Sequence, residues 1–567
     1  MNSVDGDVHE ARPLILIRGF GGLGTADERR VAYQGFNDGT VYPHKRGENY
    51  IYEGLVLRLL KSDWQYQDAT NIVSYHSRPQ TAPEVLPSEL TGLRSFFEGR
   101  LVADPAMALD IVRQTRSVAN TIWVFRYYDF EDRSFSTYGA ELVRLIDFIR
   151  ALAGELRQPV PKVDVIAHSM GGLIVRHAVQ VDYPRLKGGA PRAAEEHINK
   201  IVTLGTPHQG ISFQVLDQLG GLGASEEIEA FSPDGPAATS PDAGAWSFRT
   251  FHEHMDPRRL LTVVGTNYRT YGNGAASLLN RLAAVPGEFG PRYNRSDGLV
   301  KQANAQVPGA PRTFVHKCHG GEDSLVTSRE SFEVAMRFLH GDVRARLRLA
   351  DGRVTRGKDA FGRSEFFLGV CVKPRGVDFE LFHQSAEAEN CYGPFTSVQL
   401  DDDISERGFD WADPADRLVW EGWLDTRARG GAGPARSDLV IRFDVYVGER
   451  DSWGLGFSDN LVFQKQYYVQ AFSDPELRLY LHTGEHYLSA QRPADAGELI
   501  GVVDEAARDQ DDPSVTACER GDGEWLIPVK GTGFEATFGL SLTRVEADTG
   551  ASGSIPGPAP TVATTDS

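Results

Sequence analysis

From Pro13 to about Gly341 the chain alternates short, wholly apolar runs with longer stretches whose apolar residues recur every three to four positions. That alternation predicts a mostly parallel sheet whose strands are joined by crossover helices on both faces. The runs LILI (14–17), TIWVF (121–125), VDVIA (163–167), KIVTL (200–204), LLTVV (260–264) and TFV (313–315) are the expected strands. Most lack an alternating polar partner, as strands covered on both faces do. Between them, STYGAELVRLIDFIRALAGEL sets Leu142, Leu145, Ile146 and Ile149 on one helical stripe, and ESFEVAMRFL (330–339) predicts a closing helix.

Two stretches interrupt this rhythm. Positions 23–120 separate the first two strands, and positions 211–257 carry FSPDGPAATSPDAGAW, rich in Pro, Gly, Ala and Ser. Connections this long are usually covers or insertions; the second is the candidate lid. After Gly341 the period becomes two. FEATFGLSL aligns Phe534, Ala536, Phe538, Leu540 and Leu542, and LVIRFDVYV aligns Leu439, Ile441, Phe443 and Val445, the mark of half-buried antiparallel strands. FFLGVCV, VDFELF, RLVWEGWL, LVFQKQYYVQAF and LRLYLHT continue the pattern between Gly, Pro and Asp clusters. The expected organisation is an α/β unit over 1–341, an all-β, sandwich-like unit over 342–546, and a tail over 547–567 too poor in apolar residues to order itself.

Composition narrows the function classes. The 567 residues are 41% hydrophobic and 24% charged, which fits folded globular domains. With 59 basic and 78 acidic side chains the net charge is −19, so nucleic acid is not an expected partner. Cys318, Cys371, Cys391 and Cys518 form no CxxC pair; neither a zinc site nor a disulfide framework is indicated. The acidic start MNSVDGDVHEARP lacks a secretory pattern, and no apolar run approaches the roughly 18 residues of a membrane span. The default expectation is a cytoplasmic protein, with export by a route needing no cleavable signal left open. Oligomeric state is not readable.

The strongest chemical signal is VDVIAHSMGGLIVRHAV. A serine at a sharp strand-to-helix turn needs small residues two positions to either side, here Ala167 and Gly171, and the turn aims the free N–H groups of a helix start at developing negative charge. The alternative reading of Ser169 is a helix-capping serine, which the strand before and the helix after it make less apt.

Four segments together resemble α/β hydrolases of the lipase and esterase type: PLILIRGFGG the first core strand and oxyanion loop, AHSMGG the nucleophile elbow, LGTPHQG the segment after the next strand, and SDGLV the acid loop. The resemblance runs from Pro13 to about Gly341, about three fifths of the chain. Ala167 stands where a glycine is more common, and Arg18 where many members have histidine. The resemblance implies Ser169 as nucleophile, Asp297 as the acid that orients the base, and a histidine in the loop after RTFVHK as the base. His319 is preferred over His316, which is expected still to belong to the strand; Asp323 follows the histidines and breaks the order Ser, Asp, His. The oxyanion donors implied are the backbone amides of Met170 and Phe20. Asp297 read alone is an ordinary Asp-Gly turn.

Other features have plainer readings. His168 is expected to point away from the serine and pack in the scaffold, His208 to be structural or pocket-lining, and HEH at 252–254 lacks metalloprotease spacing. Gly19, Gly21 and Gly24 meet a dinucleotide spacing but are outweighed by the serine, acid and histidine segments. DDDISERGFDWADPAD and GFSDN read as solvated turns before calcium loops, and Trp411, Trp420 and Trp423 as core before lipid or glycan contacts. The resemblance implies a cofactor-free and metal-free serine hydrolase of carboxylic esters, acyl-lipid esters above all, touching lipid surfaces transiently. An acyltransferase using the same residues and a non-catalytic adaptor on a hydrolase scaffold are the rival classes.

Overall fold

The computed structural model describes residues 12–19, 54–62, 64, 66–114, 118–130, 134–158, 161–210, 250–268, 296–321, 323–355, 364–375, 377, 379–388, 390–395, 417–425, 438–450, 460–472, 476–483, 496–508 and 514–545. Residues 211–249 of the candidate lid, Phe20, Gly21 and Gly24, Trp411, most of the acidic loop clusters and the tail fall outside these residues.

In the α/β unit the described strands are β1 (Leu14–Ile17), β2 (Gln67–Asp68), β3 (Val73–Gln80), β4 (Gly99–Ala103), β5 (Thr121–Phe125), β6 (Val163–His168), β7 (Ile198–Leu204), β8 (Leu260–Gly265) and β9 (Arg312–Val315). The helices are α1 (Leu55–Lys61), α2 (Pro105–Gln114), α3 (Phe135–Glu155), α4 (Met170–His177) and α5 (Arg329–His340). Seven strands build one sheet in the order β2-β5-β1-β6-β7-β8-β9, and every pairing in it is parallel.

The apolar run LILI explains itself in this sheet. Successive strand residues face opposite sides: Ile15 and Ile17 pack with the stripe Leu142, Leu145, Ile146 and Ile149 of α3 and with Leu173 and Ile174 of α4. Leu14 and Leu16 pack with Leu55, Val56 and Leu59 of α1 and with Val334 and Phe338 of α5. A strand between two helical layers needs apolar residues at every position, and truncating one to alanine costs about 2–5 kcal/mol. Helix starts are set by capping hydroxyls: Ser134 Oγ accepts from the Thr137 amide and Ser328 Oγ from the Ser331 amide.

The stretch 23–120, read from the sequence as a cover or insertion, has secondary structure among its described residues. It holds α1, the edge strand β2, a β3–β4 hairpin and α2. These elements are short and partly polar, β2 being two exposed residues, so none carries a long apolar signature.

The second half forms two facing antiparallel sheets. One runs β13-β10-β20-β19-β18 and the other β12-β11-β14-β15-β16-β17, from β10 (Val343–Val354), β11 (Glu365–Pro374), β12 (Tyr392–Phe395), β13 (Leu418–Leu424), β14 (Asp438–Arg450), β15 (Asn460–Phe472), β16 (Arg478–His482), β17 (Val515–Ala517), β18 (Glu519–Gly521), β19 (Glu524–Gly531) and β20 (Phe534–Arg544). Phe534, Ala536, Phe538 and Leu540 of one sheet meet Ile441, Phe443 and Val445 of the other in a common core.

One helix accompanies the sheets: α6 (Ala496–Arg508) packs Leu499, Ile500 and Val503 on Phe472, Tyr480 and Val515. One expectation is corrected here. VDFELF is not a strand; it crosses to the α/β unit, where Leu381 O accepts from Thr313 Oγ1 and Phe382 packs on Phe314 at 5.5 Å. The sandwich core is accordingly continuous with Val264, Leu299, Val300 and Phe314. Trp420 and Trp423 are buried, at 2% and 6% exposure.

Candidate active site

Three loops at the C-terminal edge of the parallel sheet meet in one place. The first is the turn between β6 and α4. Ser169 has φ 51° and ψ −125°, a backbone region that costs a non-glycine residue about 1–3 kcal/mol. Its amide donates to Leu204 O at 2.9 Å, and its carbonyl accepts from Thr206 Oγ1 at 2.9 Å. The turn is also pressed against β1: a Cβ on Gly171 would stand 2.7 Å from Ile17 O, and one on Gly19 would stand 2.6 Å from Ser169 Cβ. Small residues at these positions let the serine sit at the strand end.

The second loop carries Asp297. One oxygen, Oδ1, accepts from the amides of Leu299 at 3.0 Å and Val300 at 2.8 Å, closing the Asp-Gly turn. Gly298 supplies its positive φ of 103°. The other oxygen, Oδ2, lies 2.8 Å from His319 Nδ1. The turn reading and the acid reading of Asp297 are therefore satisfied by the same carboxylate, one oxygen each.

The third loop follows β9. The His319 amide donates to Asp297 O at 2.9 Å, and His319 Nε2 lies 2.9 Å from Ser169 Oγ. Ser169, Asp297 and His319 are 7%, 1% and 4% exposed, so the row of hydrogen bonds runs largely out of water, where it is stronger. With Nδ1–H donating to the carboxylate, Nε2 is the acceptor that faces the serine hydroxyl.

The other predicted positions separate from this cluster. The strand ends at Val315, so His316 lies just beyond it rather than within it. It meets Thr266 Oγ1 at 3.0 Å and packs against His383 of the sandwich with ring centroids 5.4 Å apart. Asp323 pairs with Lys317 at 2.7 Å. His208 is fully buried against Thr203 Oγ1 at 3.0 Å while its carbonyl accepts from Arg176 at 2.8 Å, and burial, then Arg176, pushes its pKa well below the usual range. Met170 begins α4, so its amide has no carbonyl one helical turn earlier; Phe20, the other proposed donor, lies outside the described residues.

His168 departs from the reading of a residue turned away from the site. Its Nε2 donates to His319 O at 2.9 Å, with the two rings 4.9 Å apart. Burial first, then the neighbouring His319 and Arg18, holds its pKa well below the usual histidine value, so it stays neutral. Also unanticipated were Gly205 and Gly265. A Cβ on Gly205 would stand 2.8 Å from Asp297 Oδ2, and one on Gly265 2.6 Å from Asp297 Cβ. The only sequence hint for Gly205 was its place in LGTPHQG, directly after a strand.

Among the described residues no helix is long and apolar enough to cross a membrane. No curated protein matches the sequence. Among solved structures, the mature lipase BlEst2 of Bacillus licheniformis is 22% identical, over 37% of this chain and 78% of that one, with a TM-score of 0.24. Phospholipase PlaB of Legionella pneumophila is 14% identical, over 70% of this chain and 94% of that one, with a TM-score of 0.25. Residues 99–221, which include β6, Ser169 and α4, match the family model described as a PGAP1-like alpha/beta domain. A parallel sheet with helices on both faces, with Ser169 at a strained strand-to-helix turn inside that matched segment, gives the first half of the chain an α/β-hydrolase-like fold.

Proposed function

We propose that the chain is a serine-dependent carboxylic-ester hydrolase acting through Ser169, His319 and Asp297. The single observation that carries this reading is the run of short contacts Ser169 Oγ to His319 Nε2 (2.9 Å) and His319 Nδ1 to Asp297 Oδ2 (2.8 Å), on residues in the chain order of the hydrolases they resemble. Ser169 Oγ attacks the acyl carbon while His319 Nε2 takes its proton, and Asp297 stabilises the imidazolium without itself taking a proton. The oxyanion is met by the amide of Met170 and, by resemblance, that of Phe20; one such donor contributes about 3–4 kcal/mol to lowering the barrier. His319 then returns the proton to the leaving alcohol, a covalent acyl-enzyme remains, and water activated by the same imidazole releases the acid. No step calls on a cofactor.

The substrate class proposed is acyl-lipid esters, supported by the lipase-like segments GFGG, AHSMGG and GTPHQG and by the long stretch 211–257. The test is a panel of p-nitrophenyl esters of increasing chain length, assayed below and above the concentration at which they aggregate, together with labelling by a fluorophosphonate. Long-chain preference and labelling lost in Ser169→Ala are expected. Equal labelling of wild type and Ser169→Ala would overturn the nucleophile, and preference for short soluble esters would overturn the lipid assignment.

A further inference from the structure

Ser169 and the two residues that serve it are anchored in different halves of the molecule. The parallel sheet holds Ser169, through Leu204 O and Thr206 Oγ1. The Asp297 turn is backed by the sandwich: Leu299 and Val300, whose amides bind Asp297 Oδ1, belong to the sandwich core. The strand that leads to His319, β9, is the last of the parallel sheet, and residues 381–383 run along its outer edge. There the His383 amide donates to Phe314 O at 3.2 Å and Thr313 Oγ1 to Leu381 O at 2.6 Å. On the opposite side of that segment the Leu381 amide donates to Val372 O at 2.8 Å, and the Val372 amide of β11 to Phe382 O at 2.9 Å. Hydrogen bonds thus carry the parallel sheet into a sheet of the sandwich.

Buried amide side chains complete this joint. Gln302 follows Asp297 by five positions, and its Nε2 donates to Ala388 O at 3.0 Å. The Ala388 amide donates to Ser385 Oγ at 3.1 Å, the Ser385 amide to Asn390 Oδ1 at 3.0 Å, and Asn390 Nδ2 to His383 O at 2.7 Å. Gln384 fastens this loop to β11, accepting from the Val370 amide at 3.0 Å and donating to Asn390 O at 2.9 Å. Gln302, Gln384 and Asn390 are 3%, 2% and 1% exposed. Amides buried this deeply cost stability unless they are hydrogen-bonded, and a bonded network fixes one geometry. The turn 302–306 also reaches the support of the serine: the Gln209 amide donates to Asn304 O at 3.1 Å and Asn304 Nδ2 to Gly210 O at 3.0 Å, in the loop that carries Thr206.

We propose that Gln302 is a positioning residue for ester cleavage, through which the sandwich sets the acid and base loops against Ser169. The proposal rests on the active-site reading given above and makes the sandwich a working part of that site. Gln302→Leu keeps similar bulk but takes the donor from Ala388 O, and the acid loop loses its tie to the sandwich. Proton transfer along Ser169, His319 and Asp297 depends steeply on their separation, whereas binding of the acyl chain does not pass through Gln302.

The test uses the full chain, with p-nitrophenyl ester turnover, the rate of fluorophosphonate labelling and thermal unfolding measured on each variant. Gln302→Leu should lower kcat and the labelling rate about tenfold, a part of the 10²-fold that a displacement of about 1 Å costs, with KM within about twofold. Ser385→Ala, a gentler change at a half-buried position, should lower both about threefold, and the double variant should lose no more than Gln302→Leu alone, because both act through Ala388. Tyr467→Phe removes the hydroxyl that joins β15 to Lys530 at 3.1 and 3.2 Å; it should lower the melting temperature and leave kcat unchanged. Absence of Ser169-dependent labelling in the wild type would overturn the active-site reading and this proposal with it. Ser169-dependent labelling with an unchanged kcat in Gln302→Leu, an equal loss in Tyr467→Phe, or additive losses in the double variant would overturn this proposal alone. Where Gln302→Leu does not fold, an unchanged kcat in Ser385→Ala overturns it.

Discussion

His168 Nε2 donates a hydrogen bond to the main-chain carbonyl of His319 at 2.9 Å, so the residue before the proposed nucleophile holds the backbone of the residue proposed as its base. The two imidazoles are close, yet burial first, then the neighbouring His319 and Arg18, hold the pKa of His168 well below the usual histidine value. We assign His168 a positioning role. Replacing it by alanine should lower kcat by about tenfold, roughly 1.4 kcal/mol, with KM nearly unchanged, because its hydrogen bond goes to the backbone of His319. Asparagine, which retains an N–H donor, should recover part of the loss. Equal changes in kcat and KM across both variants would contradict the role.

Gly205 tests the steric side of the same site. Its φ is +55°, and a Cβ there would stand 2.8 Å from Asp297 Oδ2 and 3.2 Å from His319 Nδ1. Gly205→Ala should therefore displace the acid–base pair and reduce kcat by 10²-fold or more, the order expected when reacting groups shift by about 1 Å. The left-handed backbone adds only about 1–2 kcal/mol of destabilisation. A variant that melts earlier by a few degrees but keeps full kcat would count against the argument.

The order Ser169, Asp297, His319 was legible in sequence because each sits at a recognisable junction: strand to helix, an Asp-Gly turn, and the loop after the last apolar run. The buried strands were legible for a similar reason, since a strand between two helical layers is apolar throughout. What stayed hidden depends on partners far away in the chain. Nothing near His168 announces that its ring reaches the backbone 151 positions later. The helix Ala496–Arg508 has the spacing of an amphipathic helix, with Leu499, Ile500 and Val503 on one side, but it lies among period-two strands.

Acid should destabilise the fold through its buried histidines. His197 and His482 are held down to about 4, chiefly by burial and then by Arg150 and Arg375 respectively. Unfolded, each would titrate near 6.5. Between pH 6.5 and 4 the unfolded chain binds more protons than the native one, so stability falls as pH falls through that window and levels off below it. Each histidine contributes up to about 3 kcal/mol to this loss. The buried carboxylate of Asp164, raised by burial, pulls the other way. Urea unfolding at stepped pH should give a shallower decline for His197→Gln than for wild type; parallel curves would refute the assignment.

The helix after the serine makes a final, purely structural prediction. Asp182 lies five positions after His177, a spacing that does not stack on an α-helix, yet Asp182 Oδ2 meets His177 Nδ1 at 2.8 Å. The reason is the π-helical turn Ala178–Asp182, which widens the repeat so that residues five apart come into line. The second oxygen of Asp182 accepts from Arg185 at 2.8 Å, and the carboxylate is fully buried against Gly139 of α3, where any side chain would collide with it. Removing this carboxylate leaves His177 and Arg185 without the acceptor that the π turn was shaped around. Asp182→Ala should therefore destabilise by about 1–3 kcal/mol, lowering the melting temperature by several degrees, and Asp182→Asn by less, because an amide oxygen still accepts one bond. Ester turnover per folded molecule, measured well below the transition, should remain near wild type because the hydrogen bonds described for the Asp182 carboxylate run to His177 and Arg185, not to Ser169, Asp297 or His319. A melting temperature unmoved in Asp182→Ala would mean that the π turn is held by backbone packing alone.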